Sequence, residues 1–456
     1  MHRTHTPRRG AQLSTLFLLV LLMTGLSNTA TSRQRRADKP QRSKTKTKTK
    51  TKTKTKTKTK TKTKTKTKTN ASTTDAANRI ARNLTQEIAR SVAEIRQIPL
   101  RSPLKVQVYD AKALRGFLLT QLASGGGDAY LKRLDRALRR FGLMAPRVSL
   151  RDAYVRLLQE QVAGLYDPAA KELRVMRKLV PVGVQLPNPM HLLTGSPEDQ
   201  LRFVMAHEIV HALQDQRWNL KRLAKDRRGE TDLETALSSL FEGDATLGGL
   251  LWAMKDRQGH VDLRTLLAAG PAIQRLMTGA LSLAKVGLLP GGSGLGDAPP
   301  FLQERLVVPY TAGLSLCMKA AARRLRKAGQ ARAVMRGMAG IDALYARPPL
   351  SMEQVLHPEK MWRNKPDYPV ILRLPSVTKI LGRGAKPLHQ DDLGELFIRR
   401  MLRSAMPEQV ADEAAAGWGG DRYTLLRVRG GDALVWLSTW DTERDATQFI
   451  AALRRW

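Results

Sequence analysis

Residues 203–213 read Phe-Val-Met-Ala-His-Glu-Ile-Val-His-Ala-Leu, an apolar stretch broken only by His207, Glu208 and His211. Just upstream, Ser196, Pro197 and Asp199 form a helix-start signal: a hydroxyl that can cap, a proline at the first helical position and an acid in the first turn. The pattern predicts a helix running to about Gln216, apolar on every side and therefore inside the protein. Histidines four apart lie on one helix face, so His207 and His211 can offer two imidazole nitrogens to one tetrahedral ion, with Glu208 beside the open position. This is the H-E-x-x-H zinc pattern. Burying two histidines and a glutamate among apolar residues is costly unless a divalent cation compensates them.

The next segment supplies a second helix. Thr231 and Glu234 read as a capping box, and Leu237, Leu240, Phe241, Leu247, Leu250 and Leu251 recur at helical spacing as far as about Asp256. Between Thr235 and Met254 its only charges are Glu242 and Asp244. A metzincin-type site needs a ligand at position 217 and a glycine at 214, where this chain has Arg217 and Gln214, so the third ligand must come from a separate element. Glu242, 31 residues beyond His211, is the preferred candidate, with Asp244 and Glu234 as competitors.

Further out, composition narrows the classes. The chain has 456 residues with 42% hydrophobic content, enough for two or three domains with a real core. Its one cysteine, Cys317, excludes an intrachain disulfide and a cysteine-rich metal site. Of the net charge of +38, residues 1–69 carry +20, from 21 Lys+Arg against one acid, which leaves +18 for the rest. Arg3, Arg8 and Arg9 precede the apolar run Leu16–Leu26, a pattern that reads as a signal peptide cleaved after Ala30 and implies export. An uncleaved leader would instead be a membrane anchor. Residues 44–69 are thirteen Lys-Thr repeats, expected to be extended and disordered within a basic linker spanning 31–74. Such a tract suits a solvated spacer or a tether to an anionic envelope polymer or membrane surface. Without aromatic residues to stack on bases, it does not suit specific nucleic-acid recognition.

Ordered structure is expected from about Asp75, with a helix to about Gln97, a strand over 104–109 and helices over 110–123, 128–141 and 151–162. Gly164–Pro168 reads as a turn and 171–176 as a strand. Helices over 262–287 and 303–328 follow. Residues 365–456 read as a small α+β unit: an extended 369–374, a helix over 391–404, a hairpin of 422–429 with 433–439, and a closing helix over 442–455. Trp418, Trp436 and Trp440 are expected in its core. His191, His260 and His389 are isolated and expected at the surface. The class is α+β and predominantly helical, with a strand before the H-E-x-x-H helix.

His-Glu-Ile-Val-His-Ala-Leu-Gln-Asp-Gln (207–216) followed by Phe-Glu-Gly-Asp-Ala (241–245) resembles the gluzincin zinc peptidases. Within that group the chain is similar to uncharacterised exported bacterial proteins that also carry Gly-Leu-Tyr-Asp-Pro (164–168), Glu-Gln-Val-Leu-His-Pro-Glu-Lys (353–360) and Gly-Trp-Gly-Gly-Asp-Arg (417–422). The resemblance covers roughly 150–456. It implies a zincin-like catalytic domain, placed here at 75–364, with His207, His211 and Glu242 holding Zn2+ and Glu208 as catalytic base. The implied activity is hydrolysis of protein or peptide substrates. Thermolysin-like members place an acid four residues after the ligand glutamate, where this chain has Thr246, so Asp215 is the candidate to support a ligand histidine. Tyr310 and His357 are candidate donors to the oxyanion, each also readable as a packing or turn residue. The contrasting expectation is a catalytically silent envelope-binding protein that keeps a structural zinc.

Overall fold

The computed structural model describes residues 55–123, 127–145, 147–161, 164–177, 197–224, 229–285, 293–325, 329, 332–374 and 384–456. The leader, residues 44–54 of the Lys-Thr tract, His191 and Ser196 lie outside them. The fold is mostly helical with two small sheets, as the patterning predicts.

Helix α1 (Thr55–Arg96) takes in the later Lys-Thr repeats, where we expected an extended chain. Lysine is a good helix former, and elongation from a packed turn gains one hydrogen bond per residue without a second nucleation. The packed turns begin at Ala77: Ala81, Ile88, Val92 and Ile95 recur on one buried face. Asn78 Oδ1 accepts from the Val108 amide at 2.9 Å, tying α1 to strand β1 (Lys105–Tyr109).

Helices α2 (Ala111–Ala123), α3 (Gly127–Arg140) and α4 (Leu150–Gln161) lead to β2 (Gly164–Asp167) and β3 (Glu172–Met176). β3 is the middle strand, parallel to β1 with Lys105 opposite Glu172, and antiparallel to β2 with Gly164 opposite Val175. Gly164–Asp167 is thus a strand, not the expected turn. The chain reverses one step later, where Asp167 Oδ1 accepts from the Ala169 amide at 2.9 Å and Lys171 takes a left-handed φ of 53°.

The H-E-x-x-H helix is α5 (Pro197–Trp218), and α6 (Thr231–Gln258) carries Glu242. The Thr231–Glu234 capping box does not form: Glu230 is the cap residue and makes no side-chain cap bond. The acids that satisfy the helix start come from far along the chain. Asp391 accepts from the Thr231 amide and hydroxyl, both at 2.9 Å, and Asp392 accepts from the Asp232 amide at 2.8 Å. Carboxylates there meet both the orphan amides and the positive end of the helix dipole. The expected helix over 262–287 is split into α7 (Leu263–Ala268) and α8 (Gly270–Lys285) at Gly270-Pro271, because proline cannot continue the amide ladder. Helices α9 (Pro300–Leu325), α10 (Ala333–Ala346) and α11 (Met352–Leu356) complete the helical body.

The last part of the chain runs β4 (Lys386–Asp391), α12 (Gly394–Leu402), α13 (Glu408–Ala415), β5 (Trp418–Val428), β6 (Gly431–Trp440) and α14 (Glu443–Leu453). Its sheet is antiparallel in the order β4-β5-β6, with Tyr423 opposite Trp436. Trp418 is buried, Trp436 and Trp440 are half-buried against Phe449, and the indoles of Trp418 and Trp436 donate to Asp421 at 3.0 and 2.9 Å. His389 corrects the surface expectation: it is buried between Tyr130 and Tyr423, with ring centroids at 5.4 and 6.0 Å. His260 is exposed, as expected. One hydrophobic core runs from Ala77 to Ala452, so the units 75–364 and 365–456 share it. No helix among the described residues is long and apolar enough to cross a membrane.

Candidate metal centre

The middle of α5 is buried, and between Phe203 and Leu213 its polar positions are His207, Glu208 and His211. His207 and His211 are fully buried, with ring centroids 4.8 Å apart and Nε2 atoms 3.1 Å apart. Glu242 Oε2 lies 3.2 Å from His207 Nε2 and 3.4 Å from His211 Nε2. Among the described residues this trio is the group whose donor atoms converge closely enough to hold a metal ion.

Glycines let the helices approach. A Cβ on Gly248 would sit 2.7 Å from Val210 Cγ2, and one on Gly249 would sit 3.2 Å from Phe203 Cε2, so α6 lies directly against α5. On its other side α6 meets α9 backbone to backbone: a Cβ on Gly243 would overlap the Gly313 carbonyl, and one on Gly313 would overlap the Ser239 carbonyl. That crossing brings Tyr310 to the trio, its ring stacked on His207 with centroids 6.0 Å apart and planes at 23°.

Charge follows from burial and proximity. Burial lowers His207 to about 4 against the pull of Glu242. Burial would depress His211 as well, but the Glu242 carboxylate raises it to about 9. Burial would raise Glu242, yet the two imidazoles hold it down at about 2. In the metal-free cluster one proton therefore sits on His211, at a spot a cation can take.

Glu208 is 1% exposed, and neither carboxylate oxygen has a hydrogen-bond partner in bonding geometry. Burial pushes it up to about 8, with the nearby charges of His211 and Glu242 acting in opposite directions and the Tyr166 amide drawing it down. Gly164 of β2 packs here: a Cβ would lie 2.7 Å from Val204 Cγ1 and 3.5 Å from Glu208 Cγ.

The other candidates are engaged elsewhere. Asp244 is paired with Arg96, and Glu234 with Arg305 at 2.6 Å. Asp215 accepts from the Tyr166 hydroxyl and the Leu220 amide, both at 3.0 Å, and these bonds reach neither histidine of the trio. The support for His211 is Gln214, whose Oε1 accepts from Nδ1 at 2.9 Å. Position 214 falls on the ligand face of the helix, three residues past His211, and that spacing was the available signal. His357 Nε2 lies 3.0 Å from Glu395 Oε1 and 3.1 Å from Arg399 Nη2, anchoring the segment after α11 to α12; none of these partners belongs to the trio.

A family model described as a domain of unknown function, DUF8575, matches residues 384–456, the stretch from β4 to the end of α14, which contains none of the trio. No curated protein and no solved structure matches the sequence.

Proposed function

We propose that this protein is an exported, zinc-dependent metallopeptidase of the gluzincin type, with a zincin-like helical domain around α5 and α6. The observation that carries the reading is the convergence of three donor atoms 3.1–3.4 Å apart beside the buried carboxyl group of Glu208. Zinc bonds of about 2.0–2.2 Å put tetrahedral ligand atoms about 3.3–3.6 Å from one another, so the three donors fit that ion. His207 Nε2, His211 Nε2 and Glu242 Oε2 would hold it. Zinc, when bound, supplies Lewis acidity toward a water and a substrate carbonyl.

The chain's own groups supply the remainder. Glu208 takes the proton from the attacking water and hands it to the leaving amide nitrogen, and its dry setting keeps that carboxylate basic. Tyr310, whose ring stacks on His207, would donate to the oxygen on which charge develops. β2, an edge strand among the described residues, passes beside Glu208 with all four of its residues buried.

A second reading, a silent envelope-binding protein with a structural zinc, is favoured by one observation: His207 and His211 are 0% exposed and Glu242 is 4% exposed, and structural sites are closed. Metal analysis of purified protein, with peptide hydrolysis measured before and after chelation and in Glu208→Gln, separates the two. The enzyme reading expects one zinc per chain, chelator-sensitive hydrolysis, and a Glu208→Gln variant that keeps its zinc while kcat falls by about 10²–10⁴-fold. Zinc retained with no hydrolysis of diverse peptides by the wild type leaves the structural reading standing.

A further inference from the structure

Asp244 sits two positions beyond Glu242, so on a helix its side chain leaves from nearly the opposite side. It is fully buried and gripped by Arg96, also fully buried, at 2.6 Å (Nε to Oδ1) and 3.2 Å (Nη2 to Oδ2). Asp244 Oδ2 accepts from Tyr345 Oη at 2.8 Å and from Gln214 Nε2 at 3.0 Å. The same Gln214 nitrogen donates to the Phe241 carbonyl at 3.0 Å, and Gln214 Oε1 faces His211 Nδ1.

We propose that the Arg96–Asp244 ion pair is a positioning device for the metal centre, setting the tautomer of His211 through Gln214. The Arg96-bound oxygen of Asp244 and the Phe241 carbonyl both accept from Gln214, so its NH₂ turns toward them. Its carbonyl oxygen is then left for His211. That oxygen also only accepts, so His211 Nδ1 carries the hydrogen and Nε2 is the atom presented to the ion. Arg96 holds both oxygens of Asp244, Nε on Oδ1 and Nη2 on Oδ2, and so fixes where Gln214 finds its acceptor. Arg96 is held on its far side by Asp342 at 2.8 Å and lies 5.6 Å from the Trp218 ring, so the guanidinium cannot swing away. The last residue of α1 thereby acts on His211 through three contacts.

This inference rests on the metal reading above, and its test separates the two. Zinc dissociation constants are measured by chelator competition on folded, full-length protein. Asp244→Asn keeps the shape and leaves Arg96 its Asp342 partner; it is expected to weaken zinc binding by about tenfold or more, the usual effect of losing a ligand's support. Gln214→Leu is expected to cost the same, and the double variant no more than either single change, since both break one relay. The Arg96→Met/Asp244→Asn pair should match Asp244→Asn alone. Unchanged affinity in Asp244→Asn, or losses that add in the double variant, overturns the proposal. If Asp244→Asn fails to fold, Gln214→Leu, which keeps the ion pair whole, decides, and unchanged affinity there overturns it. A wild type that takes up no zinc removes the metal reading itself and this inference with it.

Discussion

His211 carries, in the metal-free protein, a proton that an ion would have to displace. Its folded pKa is about 9 because the Glu242 carboxylate outweighs the burial that would lower it. Glu208, at about 8, is also largely protonated at neutral pH. Zinc uptake at pH 7 is thus expected to release between about one and two protons per ion, with affinity rising as pH rises toward 9 and levelling above it. Calorimetry in buffers of different ionisation heat measures this, and a release of zero would contradict the charge assignment. At the same scale, Gly164→Ala places a methyl against Val204 and within reach of Glu208. It should lower peptidase activity while zinc content stays at the wild-type level, read by assay and metal analysis on the same sample.

At the scale of the element, the legible parts were those whose information is local. α5 and α6 could be found because apolar residues at helical spacing fill both, and Glu242 stood out as a charge in an apolar helix. The cap of α6 could not be found that way, because Asp391 lies 160 residues from Thr231. A hydroxyl followed three residues later by a glutamate was a sound local signal that lost to a tertiary one. β2 was misread because glycine and proline bracket it, and both are turn residues in isolation. Arg96 looked like one more cation in a basic helix, since its partner Asp244 is 148 residues away. Replacing Asp391 by alanine should cost about 1–3 kcal/mol from the unanswered amide and hydroxyl. A denaturant titration checks it, and Thr231→Ala in the same background should add little because the two changes break one contact.

Across the whole molecule, the seam between the helical body and the C-terminal sheet is built from buried carboxylates. Asp421 accepts from the Leu393 and Gly394 amides, Asp232 accepts from the Met352 amide, and Lys360 lies 2.6 Å from both Glu353 and Asp441. Burial holds Asp232 and Asp392 well above the ordinary aspartate range. Groups with raised folded values take up protons more readily when folded, so their share of stability grows as pH falls from neutral toward the ordinary aspartate pKa. Asp392→Asn should therefore flatten the gain in melting temperature between pH 7 and pH 5. Because α6 is capped by this unit and the core is continuous, a chain ending at residue 383 should fail to fold cooperatively. A sharp thermal transition in that truncation would show the helical body to be independent. The sequence read as a small α+β unit from 365 on, and packing across that boundary was not written in any local pattern.

The backbone-to-backbone crossing of α6 and α9 has a consequence for which sequences this protein can explore. At Gly243 and Gly313 no smaller residue exists to make room for a larger one, so neither helix can compensate a change in the other. In a saturation library screened for folded protein, these two positions should come back as empty as a catalytic residue does in a screen for turnover. Their intolerance would come from steric exclusion and carry no chemical message.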